Sequence, residues 1–236
     1  MTKEEQELYG QLRELTDLKD RWQASVAEVG ALLQGQTAKI TAKALWLLGE
    51  MGLAHPQEVA GFVPRIAAFL RSEEPLLRAR ALNALGRIGR ADYALVAPFW
   101  REMCALSKDP MPKVRLSLIW AAENIASSTP EFFAGQMELF ARFLDDPDDK
   151  VRMEAPEIFR VLGKRIPELV YPWLEKLAIL AQQDPNRVVR IHAAGAIKAT
   201  RRSARLFRGS GGAGVSAPTP PSPLALPPPL PYTLLP

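Results

Sequence analysis

Two histidines and one cysteine leave this 236-residue chain little material for catalysis. His55 precedes Pro56, and His192 falls in an alanine-rich stretch. Neither lies in an H-E-x-x-H or other paired ligand spacing, and no His-Glu dipeptide occurs. A metal centre of imidazoles or thiolates is not expected, and a single cysteine forms no internal disulfide. Cys104, flanked by Met103 and Ala105 on an apolar face, reads as a small core residue, because a nucleophilic thiol needs exposure and a basic neighbour. There is no Walker-type phosphate loop and no G-x-S-x-G elbow. No catalytic residue, cofactor or metal ligand is assigned, and a non-enzymatic protein is expected. The chemistry left is recognition by arginine, tryptophan and asparagine at repeated spacing.

That spacing comes from an internal repeat. Residues 73–89, 110–126, 148–164 and 186–200 align, each centred on an apolar residue followed by arginine: Leu77-Arg78, Val114-Arg115, Val151-Arg152 and Val189-Arg190. The arginines stand 37, 37 and 38 residues apart. One period earlier, Ile40-Thr41 keeps the pattern without the arginine. Small or apolar residues follow at three and seven positions, as in Ala81 and Leu85, and mark one face of a helix, here called B. An apolar stretch precedes each of the last four B helices, at 62–70, 97–106, 136–144 and 171–180. These predict helix A. Between A and B lie turns such as KDPMP and DDPDD, where proline stops A and aspartate can cap B.

Two short helices cannot bury both faces alone, but stacked copies share a continuous core. The expectation is an all-α, right-handed α-solenoid of about five helix pairs over 24–200. A capping amphipathic segment occupies 1–23; the apolar recurrence from Leu8, Leu12 and Leu15 on through Trp22, Val26, Val29 and Leu33 reads as one long helix or two shorter ones, whose second half acts as helix A of the first unit. The D-P-x-x-x-V-R turn followed by an alanine-rich helix resembles the HEAT-repeat family, particularly its short HEAT-like, PBS-lyase-type members. Asp109-Pro110 with Val114-Arg115 carries the resemblance, as do Asp146-Pro147 with Val151-Arg152 and, one residue longer, Asp184-Pro185 with Val189-Arg190. The second unit departs from it at Ser72-Glu73. The resemblance implies a scaffold or adaptor, and a structural pairing of each repeat arginine with the turn aspartate of a neighbouring unit.

Helix B conventionally lines the inner face of such solenoids. Positions two, five and nine after the repeat arginine face away from the buried stripe. They give Lys43, Trp46 and Glu50 in the first unit and Arg80, Asn83 and Arg87 in the second. The third gives Ser117, Trp120 and Asn124; the fourth, Glu154, Glu157 and Val161. Lys43, Trp46, Arg80, Asn83, Arg87, Trp120, Asn124 and Glu157 are the expected contacts for a protein or peptide partner, since tryptophan beside arginine anchors interfaces. The alternative for Trp46 and Trp120 is packing against the next unit.

Charge argues against a general nucleic-acid protein. Four of the 30 basic residues are Arg201, Arg202, Arg205 and Arg208, and no acid follows residue 200, so residues 1–200 hold 26 of each sign. A glycosylase-like DNA cradle is the second reading, but the expected lining holds no aspartate to act in it. An accessory-subunit or lyase-like role rests on the resemblance alone. No secretory signal or membrane-spanning run is present, so a cytoplasmic location is the default expectation. Residues 201–236 turn to Gly, Ser and Pro and read as a disordered tail with P-P-S-P and L-P-P-P-L-P ligand-like runs. An inert linker or an altered reading frame produces the same composition.

Overall fold

The computed structural model describes residues 2–209. The described residues form an all-α solenoid with no strand. A first helix, α1 (Lys3–Glu14), opens with Thr2 as N-cap: its hydroxyl accepts from Glu5 N, while the Glu5 carboxylate accepts from Thr2 N. Helix α2 (Trp22–Ala31) follows and packs on α3 (Ala38–Ala54) as the first pair. Four more pairs succeed it: α4 (Val63–Ala68) with α5 (Pro75–Ala91), and α6 (Trp100–Ala105) with α7 (Pro112–Ala126). Then come α8 (Met137–Ala141) with α9 (Asp149–Arg165), and α10 (Leu174–Gln183) with α11 (Arg187–Gly209).

The odd-numbered helices from α3 onward are the B row, and each packs on the next. They are long because their apolar stripe keeps its period throughout, even past Pro156 inside α9. Pro75 and Pro112 stand at the first helical position of α5 and α7, where a missing N–H costs nothing, and Asp148 caps α9 by accepting from Lys150 N and Val151 N. The A stretches, read as single helices from sequence, are broken. Helix α4 lies between 3-10 turns at Ala60–Phe62 and Phe69–Arg71, and α6 between turns at Ala97–Phe99 and Leu106–Lys108. Short helices satisfy their end groups with such tightened turns. Helix α11 runs on through 201–209, where a tail was expected. The proline-rich runs fall outside the described residues.

The repeat arginines tie unit to unit. Arg78 Nε and Nη2 donate to Asp109 Oδ2 and Oδ1 at 2.7 and 3.0 Å, and Arg115 grips Asp146 at 2.7 Å through both nitrogens. Arg152 Nε donates to Asp184 Oδ2 at 3.0 Å. Each of these arginines also donates Nη1 to carbonyls of its own turn, such as Ser72 O and Asp109 O. The three aspartates are buried and each accepts a further backbone N–H, for example Met111 N on Asp109. These guanidiniums are consumed by the scaffold. Arg190, in the last pair, holds only its own turn carbonyls at Asp184 and Pro185.

Glycine lets the first B helices approach closely. A Cβ on Gly49 would lie 2.8 Å from Ala84 Cα, and one on Gly86 2.4 Å from Ala121 Cα. One period on, the same position holds Glu123, and α7 and α9 touch over less of their length than the preceding pairs.

Candidate functional site

The repeat of 37 residues lays the outward positions of the B helices in rows. Lys43, Arg80, Ser117 and Glu154 form one row; Trp46, Asn83, Trp120 and Glu157 a second; Glu50, Arg87, Asn124 and Val161 a third. Because α3, α5 and α7 are neighbours, the first members of these rows meet. They line a hollow of about 270 Å³ with Trp46 at one side, Trp120 at the other and Arg80, Asn83, Arg87 and Asn124 between. Gly49 and Ala84 form its floor, so the close helix approach also shapes the site.

The walls are partly fixed. Trp120 is 40% exposed, although a large aromatic at a helix–helix seam would ordinarily be covered. Asn124 Nδ2 donates to Trp120 O at 2.9 Å, one helical turn back. Arg87 Nη2 sits 2.8 Å from Glu50 Oε1, an ion pair along the third row between adjacent units. Asn83 carries the unfinished bond: its Oδ1 is buried and accepts no hydrogen bond. A buried acceptor without a donor is costly, and a ligand N–H that enters the hollow would relieve it.

Lys43 lies at the N-terminal rim. Its Nζ donates to Thr16 Oγ1 at 2.6 Å and sits 4.2 Å from the Trp46 ring centroid. Burial, then Arg80 and Arg13, lower its pKa, while Asp17 opposes the shift. Lys43 joins Arg80 and Trp46 in a second recess with Tyr9 and Lys39.

The remaining expected contacts stand apart. Glu157 does not reach the hollow: it pairs with Arg160 on its own helix and lies 3.5 Å from His192 Nδ1. The reason is its repeat, which places it one helix beyond Trp120, across the looser α7–α9 seam. Ser117 is buried, not lining. His192 Nδ1 lies 2.7 Å from Met153 O. Sequence reasoning passed over Glu123, whose side chain is largely buried between α7 and α9 and whose Oε1 accepts nothing. Burial, then Glu154 and Glu157, push its carboxyl up to about 9, with Arg160 opposing. The signal for it was present, since 123 is the register position of Gly49 and Gly86.

Burial pushes the Cys104 thiol up to about 12, so the nucleophilic thiolate is not formed at neutral pH. Among the described residues no group of three or more His, Cys, Asp or Glu side chains could hold a metal ion. No helix among them is long and apolar enough to cross a membrane.

Solved structures with the same fold include designed repeat proteins. A designed armadillo repeat protein in complex with the peptide (KR)4 superposes with a TM-score of 0.61 at 20% identity, covering 84% of this chain and 95% of its own. Computationally designed armadillo repeat proteins for modular peptide recognition give 0.58 at 18% identity, covering 82% and 93%. At these identities the likeness shows the fold, an armadillo- or HEAT-type stack. Comparison with curated proteins gives no match. The family model described as "Sister chromatid cohesion protein PDS5 protein" matches residues 22–198. That span starts at the first residue of α2 and ends inside α11, so the model covers all five helix pairs, and the chain belongs to the PDS5 sister chromatid cohesion protein family.

Proposed function

We propose that the protein is a non-enzymatic scaffold that holds a segment of another protein on the concave face formed by α3, α5 and α7. The observation that carries this reading is the hollow itself. Two half-covered tryptophans bracket an asparagine whose buried Oδ1 lacks a donor. Aromatic walls supply apolar area at small entropic cost, and the open acceptor suits a peptide N–H. The designed neighbours are described as peptide-recognising, and the same use of a helix row supports a peptide ligand here. The family's link to sister chromatid cohesion makes chromosome-associated proteins the first place to look for the partner. A chromosome-associated partner would place the protein at chromosomes rather than in the cytoplasm expected from the sequence.

The test is a pull-down with mass spectrometry comparing the full chain with the Trp46→Ala, Trp120→Ala double variant, with helicity checked by circular dichroism. A protein captured by the first and lost by the second supports the site. Equal recovery from both removes the tryptophans from the binding surface and sends the search to the opposite face.

A further inference from the structure

Among the described residues, Arg80 is a B-helix cation that no carboxylate holds. The repeat arginines Arg78, Arg115 and Arg152 hold aspartates, Arg87 holds Glu50, and Arg160 holds Glu157. Arg80 is half-buried between Lys43 and the Trp46–Trp120 hollow, and among the described residues it makes neither hydrogen bond nor ion pair. Lys43 beside it holds only the neutral Thr16 hydroxyl and the Trp46 ring face. Lys39, exposed at the same recess, has its Nζ 4.7 Å from the Tyr9 ring centroid. Three cations therefore share one recess without a carboxylate bonded to any of them. Burial first, then the like charges of Arg80 and Arg13, lower the affinity of Lys43 for its proton, with Asp17 opposing.

We infer that the recess of Lys39, Lys43 and Arg80 is the subsite for an acidic side chain of the bound peptide, so that the partner segment carries glutamate or aspartate next to an apolar residue. The apolar residue enters between Trp46 and Trp120, and the carboxylate closes the charge balance at Arg80. The inference rests on the scaffold reading and adds the chemistry of its ligand.

A peptide carboxylate fits better than a nucleic-acid backbone because the positive region is short. Glu50 bounds it on the hollow side, Glu14 and Asp17 lie on the cap side, and Glu154 and Glu157 occupy the later repeats. A run of phosphates would meet these acids, whereas one or two carboxylates do not reach them. Residues 1–200 also carry no net formal charge to attract a polyanion.

The experiment uses the full chain and fluorescence anisotropy. The probes are a short labelled peptide alternating glutamate and leucine, its counterpart with lysine for glutamate, and an oligothymidylate of equal length. The glutamate peptide should bind best and weaken as salt rises. Arg80→Gln and Lys43→Gln should each lower its affinity on the order of tenfold, with circular dichroism unchanged. No detectable binding of the glutamate peptide overturns the inference, as do equal affinity in the variants, preference for the lysine peptide, or tighter binding of the oligothymidylate. The tryptophan variants separate this result from the scaffold reading. Partner capture indifferent to Trp46 and Trp120, with glutamate-peptide binding still dependent on Arg80, would remove that reading and leave the acidic subsite standing.

Discussion

Glu123 occupies the register position where the two preceding units have Gly49 and Gly86, and it brings a carboxyl into a seam that has no donor for its Oε1. Its pKa is raised from 4.5 to about 9, so the folded protein holds a proton there that the unfolded chain releases. The sign follows from linkage: the stability this proton provides is full below about 4.5 and is lost as pH rises towards 9. Glu123→Gln should therefore flatten that dependence. Unfolding free energies from urea denaturation are expected to agree near pH 4 and to favour the variant by several kcal/mol at pH 8, where the folded wild type must still take up the proton. The repeat ladder gives the opposite case. Asp146 is buried and takes both guanidinium nitrogens of Arg115. Asp146→Ala strands that charge and is expected to cost about 3 kcal/mol in denaturant unfolding, with the N–H of Asp148 also left without its acceptor.

At the level of elements, the stacking depends on residues that are absent in volume. Alanine is worth about 1 kcal/mol over glycine in a helix. At Gly86 that gain is overridden, because a Cβ there would sit 2.4 Å from a backbone carbon of α7 that cannot rotate away. Gly86→Ala should destabilise by roughly 1–3 kcal/mol, whereas Gly10→Ala, whose Cβ meets nothing within 4 Å, should stabilise α1 slightly. Thermal unfolding of both variants checks the pair. The B helices were legible because their apolar steps of three and four run uninterrupted, and the Arg–Asp ladder because its members recur at the repeat length. The A helices were less so. Their apolar content marked where they lie, but the 3-10 turns at each end depend on unsatisfied end groups rather than on any residue type. Of the expected lining, Trp46, Arg80, Asn83, Arg87, Trp120 and Asn124 share one hollow, because three successive units keep the same register and the helices are tightly stacked. Ser117 and Glu157 do not join it. Pairwise spacing between later helices changes where Glu123 replaces glycine, and a single-helix angle argument contains no such information.

Across the whole molecule, each pair touches mainly its neighbours. Stability in such an array is close to a sum over units and their contacts, so unfolding need not be all-or-none. Native-state hydrogen exchange is expected to show α5 and α7 best protected, flanked on both sides by close-packed helices. Protection in α9 and α11 should fall as a separate group. Uniform protection along the chain would contradict that division. Gly86→Ala should lower protection in α5 and α7 and leave α11 nearly unchanged, because the perturbation has no direct contact with the last pair.

The seam at Glu123 also gives the stack a mechanical character. Behind it, helices locked through Gly49 and Gly86 move as one stiff block that presents the tryptophan hollow. Beyond it, α9 to α11 form a second block, joined to the first by a looser contact and the Arg115–Asp146 rung. A load applied along the stack is expected to open that joint before it distorts the hollow, so that bending would fall away from the proposed binding site.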